Sequence, residues 1–345
     1  MHIIFVHHRS SHHAKSSGYG KLIDYIDGEV VYGKSGFPYR LAKFIAQRHS
    51  QRAGIYNSSS VLKTIELYKL IKKQNGEKTI VHFLNGERDV RHLGYFKKRF
   101  PNTTFYATFH KPPSVLQSTI TDNKWLKQLD GAIAVGANQV AFLKEWLGLD
   151  KVAYIPHGVD TDFFKPNLDL KKKNTLLFVG QHLRDFETFN KTIPKLAEKI
   201  KDLKVHVVLH PGYVSKIETH PNVAVFTEVD DNTLLRFYQE ATALYLPMVD
   251  STACNTILEA MACGLPIITS KVGGNMAYLE NTDSILVEKG DECELILCTL
   301  SLLRNEKRLN VLNALLRKKG LLVNWNEVSM QVNTFYRILN TSRNV

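Results

Sequence analysis

The stretch from Asp250 to Tyr278, DSTACNTILEAMACGLPIITSKVGGNMAY, constrains the fold more than any other part of the chain. An apolar run, Ala243–Met248, leads into the small and polar residues Ser251 to Asn255. Thr256 to Cys263 then reads as a helix. Gly264 and Pro266 stop it, because glycine suits the left-handed C-terminal turn and proline cannot continue the helix. Ile267-Ile268-Thr269 reads as a short buried strand, and Val272-Gly273-Gly274 as a turn that opens another helix. Strand, loop, helix, strand, glycine-rich loop, helix is an α/β pattern. Both helix N-termini follow strand ends, where free N–H groups and the positive dipole end suit a phosphate or an anionic sugar donor. Glu259 lies about one turn into the first helix, where its carboxylate can accept hydrogen bonds from paired ribose or sugar hydroxyls.

Asn255 to Pro266, NTILEAMACGLP, followed by Val272-Gly273-Gly274, resembles the donor-site signature of retaining nucleotide-sugar glycosyltransferases of family 4. The resemblance implies the GT-B fold: α/β, with two Rossmann-like domains facing across a cleft. It implies transfer of a sugar from a UDP- or GDP-linked donor to an acceptor, with retention, no separate cofactor and no bound metal. The family pattern has two glutamates separated by seven residues. Glu259 matches the second, which holds the nucleotide ribose. The first position falls on Ser251, with Asp250 beside it, so the donor-sugar contact departs from the pattern. Asn255, Thr256 and Gly273 fall at the helix starts that would face the donor.

In chain order, the apolar run His2–His7 reads as a first parallel strand. The loop HHRSSHHAKSSGYGK follows, with Gly18 and Gly20 able to let backbone approach a ligand closely. In the resembled family a glycine-containing loop here lines the cleft near the donor phosphates and the acceptor. His7, His8, His12 and His13 bring no carboxylate or cysteine with them, so a flexible acceptor-side loop is the better reading than a metal site. Thr104–Phe109 reads as a strand ending at His110-Lys111-Pro112-Pro113. A histidine at a strand's C-terminal end faces the ligand crevice of an open α/β sheet, and the resemblance gives His110 a contact with the donor sugar. Residues 156–166, PHGVDTDFFKP, resemble the segment that ends the family's first domain, and the lysine-containing stretch 167–173 reads as a linker.

The second domain opens with the strand Thr175–Val179 and then Gly180. The family's usual arginine and lysine positions hold Gln181 and Phe186, which leaves Arg184 as the candidate phosphate ligand and, with His110, the candidate catalytic group. Val229, in Thr227-Glu228-Val229, falls where the family flanks the nucleotide base. The expected domains are 1–166 on the acceptor side, 174–322 on the donor side, and a final helix in 323–345 that crosses back to the first domain.

Length and composition agree with this reading. At 345 residues, 44% apolar and 23% charged, the chain can hold two separate cores. No window approaches eighteen uninterrupted apolar residues, so no transmembrane helix is expected, and MHIIFVHH reads as a strand rather than a signal peptide. The four cysteines show no CxxC spacing, which suits a reduced cytoplasmic chain. Charge is uneven: residues 1–165 hold 24 Lys+Arg against 13 Asp+Glu, and the remainder 21 against 20. A one-sided basic half suggests an anionic partner. The acceptor would be a glycan, a lipid-linked molecule or a protein, with the basic half on the anionic inner face of a membrane; Lys69, Lys72, Lys73, Lys97, Lys98 and Arg99 are the candidate contacts. Lys171-Lys172-Lys173 has no interleaved aromatic residues, and no nucleic-acid partner is expected. A non-catalytic GT-B-like binding or partner subunit is the alternative that Ser251 favours. A dehydrogenase would need a GxGxxG after the first strand with a suitable acidic residue downstream, and that combination is not present.

Overall fold

A computed structural model describes residues 2–7, 17–49 and 56–341. They form two compact units. The first holds the described residues 2–7, 19–49, 56–157 and 326–341; the second holds 17–18 and 158–325.

The first unit is a six-stranded, all-parallel sheet of β1 (His2–Val6), β2 (Glu29–Val31), β3 (Thr79–Phe83), β4 (Thr103–Phe109), β5 (Gly131–Ala134) and β6 (Val152–Tyr154). Its strand order is β2-β1-β3-β4-β5-β6. The helices are α1 (Tyr39–His49), α2 (Ser58–Lys73), α3 (Gly86–Asp89), α4 (Leu93–Arg99), α5 (Pro113–Thr119) and α6 (Val140–Leu147). The seven residues of β4 are all buried, as a strand covered on both faces requires. Ile4, Val81, Phe105 and Ala132 from successive strands meet Leu67, Phe96 and Leu143 in the core.

The second unit is also all parallel: β7 (Thr175–Val179), β8 (Lys204–Leu209), β9 (Val223–Thr227), β10 (Ala243–Leu246), β11 (Ile267–Ser270) and β12 (Ile285–Val287). The order is β12-β11-β10-β7-β8-β9. Counted within the unit this is the 3-2-1-4-5-6 arrangement of dinucleotide-binding folds. Its helices are α7 (Phe186–Lys199), α8 (Asp231–Glu240), α9 (Asn255–Ala262), α10 (Asn275–Leu279), α11 (Glu292–Leu303) and α12 (Glu306–Leu321). Side-chain caps start several of them: Asp185 accepts from Thr188 N–H, Asp230 from Thr233 and Asp291 from Glu294.

The final helix, α13 (Trp325–Thr341), belongs to the first unit from Asn326 onward. Tyr336 stacks on Tyr106 with ring centroids 5.8 Å apart, and its hydroxyl is 2.6 Å from His82 Nδ1 on β3. Among the described residues no helix is long and apolar enough to cross a membrane.

Candidate active site

In an open parallel sheet, ligands bind beyond the strand C-termini where the strand order reverses. In the second unit that point lies between β7 and β10. The two loops leaving it, Gly180 to Asp185 and Pro247 to Cys254, carry Gly180, Arg184 and Ser251, and the second leads into Asn255, Thr256 and Glu259 on α9. They are tied together: Asp185 N–H donates to Pro247 O at 3.0 Å, and Val249 N–H to Leu183 O at 3.0 Å. Gly180 takes φ +82 and Leu183 φ +58. The left-handed region costs a leucine free energy that glycine does not lose, so the turn is held by its surroundings.

Arg184 lies inside this turn. Its Nε donates to Val179 O at 3.0 Å, Nη1 to His182 O at 2.9 Å, and Nη2 to Thr256 Oγ1 at 3.0 Å. The guanidinium thus joins the end of β7 to the first turn of α9. It brings positive charge to Gly180 while committing its donors to protein acceptors.

Glu259 is 5% exposed on α9. Tyr238 hydroxyl donates to Oε2 at 2.7 Å, and Ser17 hydroxyl to Oε1 at 2.6 Å. Burial pushes the Glu259 carboxyl up from its usual range, and the two hydroxyl donors oppose that shift. Burial, followed by the neighbouring Glu259 carboxylate, raises the Tyr238 phenol well above its usual value, so this hydroxyl stays a donor.

The loop that holds Ser251 closes over the glycine pair. Ser251 N–H donates to Asp250 Oδ1 at 2.7 Å, and Gly274 N–H to Ser251 O at 3.1 Å. A Cβ on Gly273 would lie 1.9 Å from Ser251 O, and one on Gly274 2.0 Å from Thr252 O. Here the glycines are demanded by backbone-to-backbone approach, and Gly273 by its φ of +47 as well. Asn255 and Thr256 open α9, as the sequence pattern expects. Val229 packs partly buried beside Glu228, which takes φ +54.

In the first unit the order reverses between β1 and β3. Gly18, grouped with the second unit, has φ +96. His110 follows β4. Its Nε2 is 2.7 Å from Leu84 O, so that nitrogen carries the proton. Its backbone N–H donates to Glu87 Oε1 at 2.5 Å, and Lys111 N–H donates to the same oxygen at 2.9 Å. The ring meets Tyr19 and His157 edge-on, at centroid distances of 4.9 and 6.3 Å. Glu87, Tyr19, Tyr238 and Ser17 are the partners that sequence reading missed. In the sequence Asn85-Gly86-Glu87-Arg88 follows the apolar run Thr79–Leu84, and nothing in it announces a carboxylate turned inward. His8, His12 and His13 lie outside the described residues.

Residues 173–305 match the family model described as glycosyl transferases group 1. The D-inositol 3-phosphate glycosyltransferase of Paenarthrobacter aurescens is 24% identical over 193 residues, which are 46% of this chain and 46% of that protein. The chain therefore matches about half the length of that curated relative. Among solved structures, sucrose-phosphate synthase from Thermosynechococcus elongatus superposes with a TM-score of 0.64 at 21% identity, over 81% of this chain and 78% of that one. Anabaena HepE, solved with UDP and glucose, gives 0.66 at 12% identity over 98% and 99%. Residues 173–305 carry the glycosyl transferases group 1 match, within a chain of GT-B fold.

Proposed function

We propose that this protein is a glycosyltransferase that moves a sugar from a nucleotide-sugar donor to an acceptor with retention of configuration, the nucleotide bound by the second unit. One observation carries the reading. At the switch point of a dinucleotide-binding strand order, the buried carboxylate of Glu259 receives two hydroxyl donors. A ribose offers hydroxyls of the same kind, and in binding would take Oε1 in place of Ser17 while Tyr238 keeps Oε2. The diphosphate would lie by Gly180 and the start of α9, stabilised by the positive charge of Arg184 and the α9 dipole. His110 would meet the donor sugar. Catalysis would rest on holding donor and acceptor together, the acceptor on the face that the diphosphate leaves, and on stabilising that diphosphate, whose oxygen would take the acceptor proton. Both the match over 173–305 and the fold similarity to HepE, solved with UDP and glucose, support testing UDP and UDP-sugars first.

The test is titration calorimetry with UDP and GDP on the parent protein and on Glu259→Gln. An amide accepts weaker hydrogen bonds from hydroxyls than a carboxylate does. The substitution should cost about 1.5–3 kcal/mol of nucleotide affinity with little change in the melting temperature. Equal affinity in the two proteins would overturn the donor-site assignment. Donor binding without transfer is the second reading. Ser251 at the first motif position and the protein-bound donors of Arg184 favour it, and nucleotide binding with neither sugar transfer nor donor hydrolysis would establish it.

A further inference from the structure

Helix α1, YRLAKFIAQRH, is built the wrong way round for a helix that only covers a core. Small residues face inward: Ala42 is fully buried and Ala46 is 5% exposed, packed with Tyr56 and Val61. Three large apolar residues face out, with Tyr39 62%, Leu41 52% and Phe44 54% exposed, while Ile45 packs partly buried with the alanines. At about 100° per residue, Phe44 points away from the Ala42–Ala46 face, since it lies two residues from each. Arg40, Phe44 and Arg48 share one outward stripe at four-residue spacing, with Leu41 beside it. Arg48 lies over the Phe44 ring, 4.7 Å from its centroid. The helix holds three basic residues, Arg40, Lys43 and Arg48, and no acidic one. Two of the six basic residues picked out from sequence are more committed: Lys69 Nζ donates to Ser35 O at 2.8 Å, and Lys97 pairs with Asp130 at 2.9 Å.

We propose that the outward face of α1 docks on an anionic lipid bilayer, with Leu41 and Phe44 in the headgroup–acyl boundary and Arg40, Lys43 and Arg48 on lipid phosphates. Charge complementarity selects this occupant. An apolar stripe flanked by cations and free of carboxylates has the chemistry of an interfacial amphipathic helix. Each cation at the surface adds on the order of 1 kcal/mol, an attraction that salt screens. The inference stands on the surface of the first unit and is independent of the donor-site reading.

The test is co-flotation of the full chain with vesicles of phosphatidylcholine alone, or of equal parts phosphatidylcholine and phosphatidylglycerol. The parent should float with the anionic vesicles at low salt, weakly at high salt, and not with the neutral ones. Leu41→Ser with Phe44→Ser should lower anionic-vesicle affinity about ten-fold or more, while the circular dichroism melt stays unchanged. Phe44→Trp should add indole fluorescence, over that of the three native tryptophans, that brominated lipid quenches. Equal flotation on both vesicle types, unchanged flotation of the double variant, or no quenching at position 44 would each overturn the proposal. So would a lipid-free dimer in sedimentation that the double variant abolishes, because the face would then belong to a second copy of the chain.

Discussion

Single residues show where local sequence stops being informative. Glu259 was legible because its helix, stop signals and following glycine turn lie within one stretch. Its two hydroxyl partners were not: Tyr238 is 21 residues away in sequence and Ser17 is 242 away. Glu87 makes the same point for His110. One carboxylate oxygen accepts the backbone N–H groups of both His110 and Lys111, and Glu87 is only 1% exposed. Its other oxygen has no hydrogen-bond partner among the described residues. Glu87 is therefore a positioning residue that fixes the backbone under His110. Glu87→Ala would leave two N–H groups without their charged acceptor and should cost about 1.5–3 kcal/mol of stability. On the role proposed for His110 it should also lower turnover, as the backbone under that residue loses its anchor. Glu87→Gln keeps an acceptor oxygen and should recover most of both. Urea melts and steady-state kinetics on the two variants check this; an alanine variant as stable and as active as the parent would rule the role out.

At the scale of elements, the strands and helices named from sequence followed from apolar runs and breakers. The β10–loop–α9–β11 succession is where the pattern placed it, because Gly264 and Pro266 stop the helix and β11 is apolar at Ile267 and Ile268. The three-residue β2 was not anticipated: Glu29 and Val30 are only half-buried, so it has little apolar periodicity to read. Neither were the left-handed Leu183 and Glu228, since no leucine or glutamate signals such a turn by its identity. The outward face of α1 was hidden for a related reason: a 3.6-residue period identifies an apolar stripe without saying which side meets the core. For the loops around the proposed donor site, the packing of Gly274 gives a sharp test. Gly274→Ala would push a methyl into Thr252 O, which is backbone and cannot turn aside. The loop from Asp250 to Ala253 must then shift. Overpacking of this kind costs about 1–3 kcal/mol, and nucleotide affinity should fall with it, because α9 begins two residues later. Chemical denaturation and calorimetry would read both; a variant with parent stability would mean the loops yield freely.

On the scale of the whole molecule, two separate cores predict two separable responses to acid. In the first unit, His82 is fully buried between Tyr336 hydroxyl, 2.6 Å from Nδ1, and Thr108 hydroxyl, 2.7 Å from Nε2. Burial, with a smaller contribution from His110, lowers its pKa to about 3. An unfolded histidine titrates near 6.5, so between these values the unfolded state binds a proton that the folded state refuses. The neutral ring's contribution to stability is therefore complete above about pH 6.5 and is lost as pH falls toward the folded value. In mid-window the slope should approach about 1.4 kcal/mol per pH unit. The loss should fall on the sheet and helix that His82 joins, β3, β4 and α13. Hydrogen exchange followed by mass spectrometry at a series of pH values would resolve it by segment. Residues 79–109 and 326–338 should lose protection together as pH drops from 6.5 toward 4, ahead of β10 and β11; β8 is no reference, because burial also lowers the pKa of its His206. His82→Gln, which cannot take up a proton, should flatten that dependence even if it lowers stability at neutral pH. Unchanged protection of the β3–β4 segment across this range, or a His82→Gln chain with the parent's slope, would show that another group governs the acid response.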